Sequence, residues 1–318
     1  MRMFVICNSS NLLNEGMNNI ENHFSSSFSK NNEVLKCTLK KSLLHIGKIK
    51  KSDAVLVYAR ATNKVYHLIK YLHFFNKNIF LFVVQPIEPT FISNFCKHPL
   101  KCFFFYLDEN DVLPIIKTIN GCLFKVGIDK KKFYSVEKNI QLSLKQRFGF
   151  DLKKKLVLHV GHGLINRGIC DLKLVDKKRF DCLLVDSGLY NENNILEDLR
   201  QSGICVLSGY QPNIQDYYQM ADVYFFTTNN SNNVISIPLS ITEALACGTP
   251  AIVYSSFDKV KCLTSNKFVL PIDCASDLND YIDKAAALKS RECLLDGFSN
   301  WEEAASAVEK RIKEVMIK

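Results

Sequence analysis

Short apolar runs that alternate with helical stretches constrain this chain more than any other feature. Runs at 3–7, 54–58, 79–84 and 102–107 are each too short for a core helix. Between the second and third, Val65, Leu68, Ile69 and Leu72 recur at helical spacing on one stripe. This alternation is the pattern of parallel strands joined by crossover helices, an α/β fold. A second series follows at 156–160, 182–186, 204–207, 223–227, 251–254 and 268–270. Two series predict two doubly wound sheets with separate cores.

The chain length supports that division, since 318 residues exceed the usual size of one domain. The hinge is expected within 125–133, where apolar density falls and charge rises. Beyond it, Ser135 is read as the cap of a helix whose Ile140, Leu144 and Phe148 share a face, with Gly149 as its stop. The final helix carries the stripe Trp301, Ala305, Val308, Ile312 and Val315, so it docks on another element.

Composition excludes several classes. Hydrophobic residues make up 47% and charged residues 23%, an ordinary globular balance. The twelve cysteines are scattered through apolar stretches without a Cys-x-x-Cys pair, which reads as buried thiols of a cytoplasmic protein, with no metal site expected. The amino-terminal apolar segment turns polar at Asn8 and reads as a strand, not a signal sequence. No run approaches the roughly 18 apolar residues of a spanning helix. The formal net charge of +9 favours anionic partners: nucleotide diphosphates, acidic lipid surfaces or nucleic acid. The basic residues read as spread along the chain, with short clusters such as 130–132 and 153–155, and this argues against nucleic acid, which needs a concentrated stripe.

Open parallel sheets bind ligands at the carboxyl ends of their strands. Four loops at such places in the second series carry candidate residues. After the strand ending at Val160, Gly161 and Gly163 flank His162 and let a ligand approach the backbone, while Arg167 offers paired hydrogen bonds to a phosphate. His162 has no acidic orienting partner in the sequence, and His159 within the strand reads as a core histidine. The second loop holds Gly188, before Tyr190. The third holds Gly209 and Tyr210, an aromatic placed to stack on a base or simply to pack. The fourth is an asparagine-rich loop before "IPLSITEALACGTP". There Ser240 and Glu243 form a Ser-x-x-Glu capping pattern if Ser240 is the cap. With Pro238 at the helix start, Glu243 instead lies in the second turn, free for another partner. Periodicity leaves both alternatives open.

The stretches "VGIDKKKF", "LHVGHGLINRGI", "GYQPNIQDYYQMADVYFF", "IPLSITEALACGTPAIVY" and "FSNWEEAA" occur in order. Together they resemble the successive motifs of the retaining nucleotide-sugar glycosyltransferases of family 4. The resemblance covers about residues 121–310 and is most specific over 221–254. It implies the GT-B fold: two Rossmann-like doubly wound domains facing across a cleft, with residues 1–126 on the acceptor side and 127–300 on the donor side. The helix 301–318 would cross back to the first domain. The implied activity is hexosyl transfer from a nucleoside-diphosphate sugar to a glycan or lipid-linked hydroxyl acceptor, with retention and without metal or cofactor. The implied partners are that donor and acceptor, with peripheral contact at an anionic membrane face.

By position, Glu243 matches the family glutamate that receives the donor ribose. Arg167 matches the basic residue that holds the diphosphate, and these two are the expected catalytic residues. His162 stands where a second basic residue is common. Ser236, Ile237, Pro238 and Leu239 form the helix opening, whose free amides face the donor's phosphate and sugar in this reading. Gly16 corresponds to the glycine loop of the acceptor side. Ile235 replaces the motif's first glutamate, and Arg60 and Gln85 occupy the strand-end loops where the family has a histidine. These departures support an alternative: a catalytically inactive GT-B protein that binds a nucleotide sugar or serves as a partner subunit.

Overall fold

The computed structural model describes residues 1–8, 16–189, 192, 194–229, 234–257, 266–294 and 297–317. The chain gathers into two compact units, Met1–Gly127 with Asn232–Ser236 and Phe298–Lys318, and Ile128–Ser231 with Ile237–Gly297. The division departs from a single cut near 126 at two places. A short segment before Ile237 and the residues just before Trp301 pack with the first unit.

The first unit contains β1 (Arg2–Cys7), α1 (Gly16–Phe28), β2 (Glu33–Thr38), α2 (Ile46–Lys50), β3 (Ala54–Tyr58), α3 (Asn63–Leu72), β4 (Ile79–Val83), α4 (Pro89–Lys97), β5 (Phe103–Tyr106), α5 (Glu109–Val112) and β6 (Asn120–Leu123). Its six strands run parallel in the order β2-β1-β3-β4-β5-β6. The central strands β1, β3, β4 and β5 are almost wholly buried, which is why they read as continuous apolar runs. On one face Ile49, Val65, Ile69 and Phe91 join a core with Phe4, Val55 and Leu81. Elsewhere in the unit Phe24 of α1 meets the rings of Phe82 and Phe124. The edge strands β2 and β6 escape the sequence reading because their residues are half exposed and carry no apolar run.

The second unit contains α6 (Lys138–Arg147), β7 (Lys155–Gly161), β8 (Phe180–Asp186), α7 (Ile195–Gln201), β9 (Cys205–Ser208), α8 (Ile214–Met220), β10 (Val223–Phe226), α9 (Leu239–Ala246), β11 (Ala251–Tyr254), β12 (Val269–Ile272) and α10 (Leu278–Ala286). Its parallel sheet has the order β12-β11-β10-β7-β8-β9, the arrangement of a dinucleotide-binding doubly wound fold, with its order reversing between β7 and β10. The last helix, α11 (Trp301–Ile317), belongs to the first unit and buries Trp301, Ala305, Val308 and Ile312. Trp301 stacks on His23 of α1 at 4.3 Å between ring centroids. Gly127 lies where a Cβ would sit 2.5 Å from the Trp301 backbone, so the chain can pass there only as glycine.

The helix after the hinge corrects one expectation. Glu137, not Ser135, occupies the cap of α6, and the Ser135 hydroxyl donates to the Arg291 carbonyl. Ile140 faces solvent while Gln141, Leu144 and Lys145 are buried. The reason is polar. Asp222 accepts from Lys145 Nζ at 2.5 Å, Gln141 Nε2 at 3.0 Å and the Leu156 amide at 2.8 Å, and this rotates α6 toward its charged side. Gly149 ends the helix with φ +78°, as a left-handed stop requires.

Candidate functional site

The crevice at the carboxyl ends of a doubly wound sheet opens where strand order reverses. In the second unit β7 and β10 lie side by side at that point. The turn after β7 carries His162 and Arg167, and the chain after β10 leads to α9 and Glu243. Two side chains tie these segments together. Thr227 Oγ1 donates to the Arg167 carbonyl at 2.8 Å, directly after β10. The Tyr224 hydroxyl lies 2.7 Å from Ser240 Oγ and 3.2 Å from the Val160 carbonyl, fastening α9 to the end of β7.

That same contact decides between the two readings of the helix start. Pro238 is the cap residue of α9, with φ −62° and ψ 116°, and Ser240 lies inside the helix bonded to Tyr224. Glu243 is therefore the fifth residue of α9, past the reach of a capping box. Its carboxyl is enclosed although the residue keeps some exposure, and burial pushes its pKa up to about 7, with Tyr218 and Lys132 favouring the charged form. Tyr218 is buried beside it, its own pKa raised first by burial and then by the Glu243 charge.

Arg167 ends a short 3-10 turn, Ile165–Arg167, closed by Gly168 at φ +72°. A Cβ on Gly168 would lie 2.3 Å from the Thr227 carbonyl oxygen, so glycine is required where the loops cross. The guanidinium acts on both His159 and His162, lowering each pKa after burial has done so first. His159 falls to about 4 and shares its Nδ1 with the Phe225 carbonyl at 2.9 Å, a buried core histidine as expected. His162 contacts Ser187 Oγ through Nδ1 at 2.6 Å and is held below its ordinary value, hence neutral near pH 7. It offers a hydrogen bond rather than a second positive charge.

Several glycines are required by the packing of the loops themselves. A Cβ on Gly161 would lie 2.9 Å from His159 Nε2, and one on Gly163 would lie 2.7 Å from Leu196. Gly188 passes 2.9 Å from the Gly209 Cα by the same measure. The amides of Gly163, Gly188 and Gly209 already donate to Asp186, the first two to its carboxylate at 2.7 and 2.9 Å and the third to its carbonyl. Ser208 Oγ adds a bond to the same carboxylate at 2.8 Å.

Asp186 is thus the residue that sequence reasoning missed. It is buried at the last position of β8 and gathers the turns after β7, β8 and β9. The available signal was an acid closing an apolar strand directly before Ser-Gly. Asp186→Ala leaves two amides and a hydroxyl without their acceptor, at about 1.5–3 kcal/mol for each bond to a charged group, less than additively. A thermal melt is expected to show a clear drop for this variant, with Asp186→Asn intermediate.

The remaining expected residues fall in several places. Tyr210 is exposed beside Gly209, whose φ is +96°. Ile237, Pro238 and Leu239 form the opening of α9 in the second unit. Ser236 is a correction, because it packs with the first unit, where its amide donates to the Val84 carbonyl at 2.8 Å and its hydroxyl to Asp111. Its amide is engaged there and is not offered to a donor. Gly16 begins α1, and a Cβ on it would lie 2.8 Å from Ile235, so the isoleucine in the motif's first position fills the space over that glycine. Arg60 pairs with Glu88 at 3.4 Å. Tyr190 and residues 230–233 lie outside the described residues. Among the described residues no three His, Cys, Asp or Glu groups are arranged to hold a metal ion, and no helix is long and apolar enough to cross a membrane.

The two parallel six-stranded sheets with their helices make two Rossmann-like α/β units. Residues 141–294 match the family described as Glycosyl transferases group 1, a match that supports a transferase enzyme. Three solved structures share the fold over nearly their whole length. A glycosyltransferase from Rickettsia africae ESF-5 superimposes with TM-score 0.77 at 14% identity, covering 99% of this chain and 98% of that one. Sucrose-phosphate synthase from Thermosynechococcus elongatus gives 0.77 at 13% identity, covering all of both chains. WaaG, a glycosyltransferase involved in lipopolysaccharide biosynthesis, gives 0.67 at 12% identity over 98% of each chain. Comparison with curated protein sequences gives no match.

Proposed function

We propose that this chain moves a hexosyl group from a nucleoside-diphosphate sugar to a hydroxyl of a glycan or lipid-linked acceptor, with retention at the anomeric carbon. The observation that carries the reading is the setting of Glu243: freed from any capping role, on the helix that follows β10, beside the strand whose turn bears Arg167. In this reading the ionised Glu243 carboxylate accepts the ribose hydroxyls. Arg167 and the first amides of α9, which lack intrahelical acceptors, receive the diphosphate. Neutral His162 donates one hydrogen bond, and Tyr210 stacks on the base. As the glycosidic bond breaks, negative charge grows on the departing diphosphate, and preorganised donors stabilise it most where water is excluded. No metal or cofactor enters the proposed chemistry. Peripheral contact with an anionic membrane face is part of the same reading.

A thermal-shift screen against UDP, GDP and ADP sugars tests donor binding, since a ligand that binds only the folded protein raises its melting temperature. Donor hydrolysis and transfer assays follow on the ligand that shifts. Binding without turnover on any acceptor would overturn the transfer reading for that donor.

The pKa of Glu243 adds a sign. Ribose hydroxyls need the ionised acceptor, and the free protein half protonates it at about 7. Donor affinity is expected to rise as pH climbs through 7, by up to about tenfold per unit below the pKa, and to level off above it. Glu243→Gln should bind more weakly and with a flat profile between pH 6 and 8, measured by calorimetry.

A further inference from the structure

A tight turn opens the second unit, and Asp129 makes it. The Asp129 carboxylate accepts from the Lys131 and Lys132 amides at 3.0 and 3.2 Å, and its carbonyl accepts from the Phe133 amide at 2.8 Å. Lys130 and Lys131 are exposed, Lys132 is half-buried and Phe133 is buried. The Phe133 ring meets the Tyr218 ring of α8 edge-on, with 6.0 Å between centroids. The Tyr134 carbonyl accepts from Gln219 Nε2 of the same helix at 3.0 Å. Lys132 Nζ lies over the Phe133 ring, 5.6 Å from its centroid, and Tyr218 in turn stands beside Glu243 of α9. Of three consecutive lysines, two stand in water and the third is carried by the turn toward the acid.

The surroundings of Glu243 are otherwise neutral. Tyr218, Tyr224 of β10 and Cys247 after α9 all feel its charge from the elements packed around it. Burial pushes each of them up, Cys247 to about 12, so none carries charge between pH 6 and 9. Lys289, which burial lowers to about 8, is turned to the Cys247 and Gln219 carbonyls and to Thr249. An enclosed acid with neutral neighbours alone keeps its proton, and a protonated acid is the poorer acceptor. We infer that Lys132 is a positioning residue of the donor site: its ammonium, brought in by the turn, maintains at Glu243 the carboxylate that accepts the ribose hydroxyls. The stem of Lys132 packs while its charged end stays partly hydrated, so the pairing costs little desolvation. The inference rests on the assignment of Glu243 to the ribose, and it gives Lys132 no part in gripping the diphosphate.

Lys132→Met tests it, since it retains a stem of similar length over Phe133 and removes the charge. Loss of a nearby cation raises the pKa of an acid, so the rise of donor affinity with pH should move from about 7 to about 8. By calorimetry with the nucleotide sugar found by thermal shift, the variant should bind about fivefold more weakly at pH 7 and approach the parent by pH 9. Lys132→Arg should restore the parent profile, and Lys131→Met should leave it where it is. A loss of affinity equal at every pH overturns the proposal, because it marks Lys132 as a direct contact to the donor; an unmoved profile overturns it too. A second readout needs no donor. The Glu243 carboxyl, titrated in the ligand-free protein by carboxyl-carbon NMR and assigned with Glu243→Gln, should show the same upward move in Lys132→Met. That move in a protein that binds no nucleotide sugar upholds the pairing and removes the sugar-transfer assignment, whereas a fixed midpoint ends the pairing whatever the protein binds.

Discussion

Arg167→Ala is expected to lower kcat for sugar transfer by about 10²–10³, with a smaller effect on the donor KM. Loss of one preorganised donor to charge developing in the transition state typically costs about 2.7–4 kcal/mol. The argument is one of geometry and charge. Arg167 stands in the turn after β7, at the point where the sheet order reverses, and its backbone is latched by Thr227. His162 beside it is neutral near pH 7, so it cannot take over the guanidinium's charge. Arg167→Lys keeps a charge but loses the paired geometry, and an intermediate rate is expected. The latch to Thr227 uses the main-chain carbonyl, which alanine retains. Stopped assays with the donor identified by thermal shift give the measurement. A rate within a few-fold of the parent would remove Arg167 from the diphosphate.

The second large effect is on folding. Asp222→Ala removes the carboxylate that accepts from Lys145 Nζ, Gln141 Nε2 and the Leu156 amide, and leaves a buried ammonium with the Lys154 carbonyl but no counter-ion. Breaking one side of such a pair costs about 3–5 kcal/mol, because the remaining charge stays desolvated. For a unit of this size each kilocalorie shifts the melting temperature by roughly 2–4 °C, so a fall on the order of 10 °C is expected by calorimetry. Adding Lys145→Met to Asp222→Ala should recover part of the loss, since an apolar residue of similar length needs no partner. The partial rescue distinguishes a stranded charge from a simple loss of packing.

The strands that cover the centre of each sheet were legible because both their faces are buried. Val55, Leu56 and Val57, or Leu183, Leu184 and Val185, carry apolar side chains on both sides and so read as uninterrupted runs. Strands β2 and β6 were not, because an edge strand half open to water needs no such run. The face of α6 was read wrongly for a related reason. Ile140 fits the apolar stripe, yet Asp222, 82 positions later in the chain, draws Lys145 and Gln141 inward instead.

At the site, residue types were readable and their employment was not. Arg167 and Glu243 stood out as charged groups beside glycine and proline signals, and local spacing alone could not say whether Ser240 capped Glu243. Tyr224 answers that, and it does so from another strand. The amides of Gly163, Gly188 and Gly209 all donate to Asp186, a shared partner that local spacing does not reveal.

The order of residues along the chain determines whatever depends on neighbours a few positions apart: the central strands, the helices between them and the glycine turns that join them. The folded chain alone determines which polar atom meets which, because hydrogen bonds and buried charges are satisfied by groups that folding brings together from distant parts of the sequence.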